Sequence, residues 1–292
     1  MRVNKAIELL EQRQPAYFEF VDGESAGGYN GGRALAQTWA DYITYDIEHS
    51  ALDAQALLQF MRGLADGGPT RSGHRTPAVI VTLPFDGTDE HAVRANSWII
   101  KQVLAAGVHG LLLCHVESPD AVRAFVEASR YSFNPGLGSD LGAGRRGHGG
   151  QVRAAEMWGI PVSEYFTRAD PWPLNPRGEL MLGIKVENAR ALANVERTTR
   201  MPGLAFAEWG PGDMGMSMGY PDQHDEPWPE PMQAARTRVM AACKAAGLAF
   251  LEQVTPQNVT SRIAEGVMIG CGPQGREAAE IGRKHTGRSL AW

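Results

Sequence analysis

Short apolar runs, rich in β-branched and aromatic residues, recur along the chain. They predict strands at Ala16–Val21, Tyr42–Ile47, Ala78–Leu83, Gly110–Val116, Met181–Val186, Leu204–Trp209, Leu248–Glu252 and Val267–Gly270. Segments with helical spacing lie between them, at Gly32–Trp39, Asp53–Leu64, His91–Ala106, Pro119–Ser129, Ala189–Arg200, Gln233–Ala246 and Pro256–Glu265. Strands alternating with helices at this rhythm argue for a parallel sheet with helices on its faces. Eight such units in about 250 residues fit an α/β fold of the (β/α)8 barrel type. The competing doubly wound sheet lacks its commonest mark, a GxGxxG after the first strand. We therefore expect one barrel domain over residues 1–292.

Two stretches break the rhythm. Residues 131–180 carry many glycines and then Pro171-Trp-Pro-Leu-Asn-Pro176. A connection this long inside a compact domain is commonly functional, so a lid or rim over the site is expected, with a short helix near Gln151–Trp158. The second stretch, Tyr220–Pro231, is rich in proline and acidic residues and is also expected on the rim.

The chain has 292 residues, 43% hydrophobic and 21% charged, an ordinary globular composition. No apolar run approaches the roughly 18 residues that span a bilayer. The first residues carry charges where a signal peptide needs an apolar core, so a cytoplasmic location is expected and no membrane partner. Cys114, Cys243 and Cys271 are scattered, which argues against a cysteine metal site or a disulfide framework. Net charge is -5 with interleaved signs, and no basic stripe marks a nucleic-acid face.

Candidate chemistry collects at strand ends, the active edge of a parallel barrel. Glu187 and Asp213 end two consecutive strand units, and two adjacent carboxylates call for a cation between them. Asp46 and His49 follow the second strand and should reach the same mouth; a histidine beside a carboxylate is a natural proton shuttle. Asp46, Glu48 or Ser50 could instead cap the next helix, and Asp213 could be a helix cap after its glycine-rich turn. That turn, Gly210-Pro-Gly-Asp213, lets backbone approach a ligand closely.

Three segments together resemble the metal-dependent pyruvate aldolases of the dihydroxyheptenedioate aldolase family, relatives of the citrate lyase β-subunit and malyl-CoA lyase. They are Asp46-Ile-Glu-His49, Val186-Glu187-Asn-Ala-Arg-Ala-Leu-Ala-Asn-Val and Glu208-Trp-Gly-Pro-Gly-Asp213-Met-Gly. The resemblance runs from about residue 40 to 272. It implies a phosphoenolpyruvate/pyruvate-type barrel and a divalent metal, Mg²⁺ or Mn²⁺ with Co²⁺ as a further option, held by Glu187 and Asp213. It also implies a carbon–carbon lyase that joins pyruvate to an aldehyde, or cleaves a 4-hydroxy-2-oxo acid, through an enolate. His49, held by Asp46, would relay protons, and the amides near Gly212 and Asp213 would grip the substrate carboxylate. A homo-oligomer, hexamer or trimer, is implied, with the terminal helix near Gly275–Lys284 packed on a neighbouring subunit.

The chain departs from that pattern. An arginine expected on the third strand is replaced, at the position read as Ile80, by an apolar residue. Lys185 stands where glutamine is usual, two residues before Glu187 and on the same strand face. Lys185 is expected to supply the missing positive charge, or else only to pair with Glu187. A Schiff base on Lys185 is disfavoured by the intact Glu187/Asp213 pair. His115, Trp209 and His148 are further candidate substrate contacts, although His115 could be a plain strand-end histidine. Two alternatives stay open: an acyl-CoA lyase, for which Arg145-Arg146 is the one obvious basic pair, and an altered barrel for an unusual, aromatic substrate.

Overall fold

The computed structural model describes residues 1–138 and 140–291. In chain order the elements are α1 (Lys5–Glu11), β1 (Ala16–Asp22), α2 (Gly28–Leu35), β2 (Tyr42–Asp46), α3 (Ala54–Asp66), β3 (Ala78–Asp86), α4 (Glu90–Ala105), β4 (Gly110–Cys114), α5 (Pro119–Ser129), α6 (Gln151–Trp158), α7 (Val162–Arg168), β5 (Pro171–Trp172), β6 (Leu180–Val186), α8 (Ala189–Thr198), β7 (Phe206–Trp209), α9 (Pro211–Met218), α10 (Glu230–Ala246), β8 (Ala249–Gln253), α11 (Val259–Glu265), β9 (Val267–Cys271) and α12 (Gly275–His285). All strand pairings are parallel, and β4 pairs with β6 to close the ring. Eight strands make the (β/α)8 barrel; β5 adds only two residues beside the start of β6.

Strand alternation sorts the side chains into two cores. One fills the barrel: Ala16, Phe18, Tyr42, Ala78, Ile80, Leu112, Met181, Phe206, Leu251 and Ile269. Helix α1 plugs its lower end with Ala6, Ile7 and Leu9. The plug starts at Asn4, whose side chain accepts from Ala6 N at 3.0 Å and donates to the carbonyls of His109 and Glu179. The second, larger core lies between the strands and the outer helices. Each large side chain buried in either core contributes about 1.5–3 kcal/mol.

The first outer helix differs from expectation. It spans Gly28–Leu35 rather than Gly32–Trp39. Glycine weakens a helix, so the pattern disfavours this stretch. Here glycine is what the packing requires: a side chain on Gly32 would collide with the Phe60 carbonyl of α3.

The described part of residues 131–180 does not form a lid over the mouth of the barrel. They join the end of α5 to the start of β6, and such connections emerge at the N-terminal face of the barrel, away from the strand ends that carry chemistry. Trp158 donates to Gly107 O at 2.8 Å, below β4, and stacks on His109. Arg146 is buried over the Tyr131 ring, 4.4 Å from its centroid, and reaches Tyr165 Oη at 2.9 Å. Tyr220–Pro231 does sit beside the mouth, with Trp228 edge-on to Trp209 and His224 next to Gly212.

Helix α12 packs against β1, β9 and α11 of its own barrel. Arg283 donates to Trp39 O at 2.9 Å and lies 3.1 Å from Asp41. Arg288 grips both Asp41 oxygens at 2.7 and 2.8 Å, and Lys5 approaches at 3.0 Å. Burial alone would raise the Asp41 carboxyl; Arg288, Lys5 and Arg283 overcome it and hold the pKa at about 2. No helix among the described residues is long and apolar enough to cross a membrane.

Candidate active site

Strand register brings the polar residues to one level at the C-terminal mouth. Asp46 pairs with Thr82, and Lys185 with Glu208, so their side chains enter the barrel above the apolar layer of Ile80, Leu112 and Phe206. A cavity of about 100 Å³ lies there, lined by Asp46, Glu48, His49, Thr82, Lys185 and Glu208 over Phe18, Phe206 and Leu251.

Glu187 is buried directly after β6. Its Oε1 accepts from the His115 N–H at 2.9 Å, and its Oε2 lies 3.8 Å from Lys185 Nζ. His115 adopts a φ of 44° to offer that N–H. A left-handed non-glycine residue costs on the order of 1–3 kcal/mol, and such strain concentrates at functional sites. The His115 ring is half-buried, with Nδ1 3.6 Å from the same carboxylate oxygen. On the other side lies Gly210, whose missing side chain leaves room for the Glu187 carboxylate. Gly210 caps α9, and Asp213 lies within the first turn rather than capping the helix by its side chain.

Asp46 Oδ2 accepts from His49 N at 3.2 Å and lies 3.3 Å from His49 Nδ1, so the carboxylate aims the exposed imidazole. Capping of α3 falls to Asp53, not to Asp46, Glu48 or Ser50. Glu48, by sequence only a possible cap, forms a close ion pair with Lys185 and lies 3.7 Å from His49. It lies past the end of β2, so strand alternation gave no signal that could have marked it.

The electrostatics are lopsided. Glu48, Glu187 and Glu208 act on Lys185, the one lysine of the mouth among the described residues, and Asp46 and Asp213 act on Glu208 in turn. Burial would lower the Lys185 pKa, but Glu208, Glu187 and Glu48 raise it well above that of an ordinary lysine. It therefore stays protonated and is a poor Schiff-base nucleophile. Burial pushes the Glu187 carboxyl up to about 8 against the pull of Lys185, with Glu208 and Glu48 adding to the rise. Glu208 is raised for the same reason. A buried carboxylate held near neutrality, amid further carboxylates, suits a divalent cation with hard oxygen ligands. Ligand atoms of Glu48, His115 and Glu187 lie within 4.8 Å of one another, and those of Asp46, Glu48 and His49 do likewise.

Two expected substrate contacts are not at the mouth. Trp209 follows Glu208 on β7 and so points outward, buried against Trp228 between barrel and helices. His148 is exposed and bonded to Gln151 at the start of α6, at the opposite end of the barrel. The Arg145-Arg146 pair is engaged there too, Arg145 with Glu127 and Arg146 between two tyrosines, so it forms no basic patch for CoA at the mouth.

Comparison with known proteins agrees with this picture. The sequence profile of the HpcH/HpaI aldolase/citrate lyase family matches residues 74–269. A hydroxypyruvate/pyruvate aldolase of Paraburkholderia phytofirmans is 27% identical over 77% of this chain and 74% of its own length. A 2-keto-3-deoxy-L-rhamnonate aldolase of Salmonella schwarzengrund is 31% identical over 79% of this chain and 74% of its own. The crystal structure of an HpcH/HpaI aldolase/citrate lyase family protein from Burkholderia cenocepacia superposes with a TM-score of 0.69 at 24% identity, covering 95% of this chain and 97% of that one.

Proposed function

This chain belongs to the HpcH/HpaI aldolase/citrate lyase family, and from that premise we propose that its mouth performs aldol chemistry on a 2-oxo acid such as pyruvate, joining it to an aldehyde or releasing one. The observation that carries the reading is the buried Glu187, flanked by Lys185 and by Gly210 of the Gly210-Pro-Gly-Asp213 turn, with Lys185 and the Asp46–His49 pair lining one cavity. Glu187 and Asp213, with Glu48 in reach, would hold a divalent cation, Mg²⁺ or Mn²⁺. When bound, that ion supplies Lewis-acid polarisation of the 2-oxo acid oxygens.

The chain's own residues do the rest. Protonated Lys185, fixed by Glu48, places a positive charge where the enolate oxygen develops. It stands in for the cation that Ile80 does not provide. His49, oriented by Asp46, takes a proton from the methyl carbon of the 2-oxo acid or returns it. The amides of Gly212 and Asp213, in the first turn of α9, would receive the substrate carboxylate. In the forward direction the pyruvate methyl carbon gives up one proton and bonds to the aldehyde carbon, whose oxygen takes one up.

The test is exchange of pyruvate methyl protons in D₂O, followed by NMR with EDTA and then with Mg²⁺ or Mn²⁺. Exchange that requires the ion and disappears in Glu187→Gln supports the reading. Absence of exchange with every ion would refute it.

A further inference from the structure

Beside the catalytic cavity lies a second compartment of about 640 Å³, lined by Phe18, Phe20, Trp39, Glu208, Leu251 and Gln253 among others. Phe18, Phe20, Glu208 and Leu251 line both spaces, so the compartment opens directly onto the reacting centre. Phe18, Phe20, Trp39 and Leu251 give it an apolar wall. Phe20, at the end of β1, leaves 53% of its surface exposed on this wall. A large exposed aromatic beside a catalytic mouth is a binding feature more readily than a packing one.

The polar side chains of the compartment divide into two sets. Glu19 holds Thr38 by a hydrogen bond, His224 pairs with Asp225 at 2.9 Å, and Arg276 with Glu280 at 3.5 Å. Glu208 and Gln253 have no hydrogen-bond or ion-pair partner among the described residues. Glu208 lines both spaces and Gln253 the larger compartment, on neighbouring strands β7 and β8.

Resting on the aldolase reading, we propose that this compartment takes the aldehyde, and that Glu208 selects an uncharged aromatic aldehyde bearing a hydroxyl group. The ring lies against Phe18, Phe20 and Trp39. The hydroxyl donates to the Glu208 carboxyl, which Lys185 attracts electrostatically but no side chain hydrogen-bonds among the described residues, with Gln253 able to complete the bond. Glu48, Asp46 and Asp213 act on Glu208 from the same mouth, so an aldehyde carrying its own carboxylate meets a negative field there and is rejected. A short hydroxyaldehyde satisfies Glu208 but leaves the apolar wall uncovered.

The test is kcat/KM for pyruvate addition to 3-hydroxybenzaldehyde, 3-carboxybenzaldehyde, benzaldehyde and glycolaldehyde, after metal-dependent methyl exchange of pyruvate has been measured without any aldehyde. The hydroxylated ring is expected to exceed each of the others by about tenfold or more. In Glu208→Gln the discrimination between hydroxyl and carboxylate rings should fall to within a few-fold. Phe20→Ala, at a surface position, should cut the aromatic-to-glycolaldehyde ratio by about tenfold. Equal rates for the hydroxyl and carboxylate rings in the wild type, or a ratio unmoved by Phe20→Ala, overturn the inference while exchange leaves the aldolase reading standing. A wild type that fails to exchange pyruvate protons removes both.

Discussion

Gly210→Ala probes the site through one methyl group. The residue has φ -99°, which alanine adopts freely, so any effect comes from contact and not from backbone strain. The added Cβ would lie 2.7 Å from Glu187 Oε2 and 2.8 Å from Glu187 Cβ. Ordinary contact is about 3.5–4.0 Å, so a shift of roughly 0.7–1.3 Å is needed. A rotamer change cannot supply it, because the Cβ contact persists in every rotamer. The ends of β6 and β7 must part, which moves the carboxylate off the His115 N–H. Overpacking of this kind costs about 1–3 kcal/mol of stability. A displacement near 1 Å of a positioned group costs on the order of 100-fold in rate. We expect Mn²⁺ affinity, by titration calorimetry, to fall at least tenfold, and metal-dependent pyruvate exchange to fall about 100-fold at saturating metal. A Gly210→Ala variant with wild-type metal affinity and exchange would refute the claim that Glu187 is seated against this turn and works from there.

Other outcomes follow from the same geometry. Lys185→Met should lower pyruvate exchange on the order of 100- to 1,000-fold, as loss of one oxyanion-stabilising group does, with metal affinity held or increased; unchanged exchange would reduce Lys185 to a partner of Glu48. His49→Ala should lower aldol turnover about 100-fold or more, and Asp46→Asn should follow it more weakly while changing the pH profile. Metal-free protein should lose stability as pH rises from about 4.5 to about 8, because folded Glu187 keeps a proton that the unfolded chain releases near 4.5. The loss should level off above pH 8 and shrink when Mg²⁺ is added, as chemical denaturation across that range would show. Asp41→Asn should destabilise by about 3–5 kcal/mol by stranding three buried cations. In the wild type the Asp41 contribution is complete above its unfolded pKa near 3.8 and is lost as pH falls through about 2.

What the sequence made legible is what period and spacing encode. Eight strand runs, the strand-end placement of Asp46, Lys185 and Glu187, and the Gly210–Asp213 turn follow from local patterns, and the structure gathers these residues at one mouth. The misses are failures of direction. Glu208 and Trp209 are neighbours, and only the pairing of Lys185 with Glu208 decides which of them faces inward. Length alone suggests a lid for residues 131–180, whereas their place after a helix and before a strand sends them to the other end of the barrel. Glu48 lies past the end of β2, where alternation no longer holds by rule, so its pairing with Lys185 needed coordinates.

Those corrections sharpen the chemistry. With Trp209 turned outward, the inner position on β7 belongs to Glu208, and the mouth gains a carboxylate where an indole was expected. A mouth with five carboxylates and one lysine among the described residues is not balanced by protein charge alone, and burial together with that crowding raises the Glu187 and Glu208 carboxyls. The same imbalance holds Lys185 protonated, which closes the Schiff-base route and leaves the ammonium free to act as a fixed charge. In the proposed reading, Lys185 on β6, held by Glu48, supplies the positive charge that the apolar Ile80 on β3 does not. An Ile80→Arg substitution would place a second cation among the same carboxylates. It should restore function in Lys185→Met more than it helps the wild type, and no rescue at all would mean that the charge is needed at the β6 position itself.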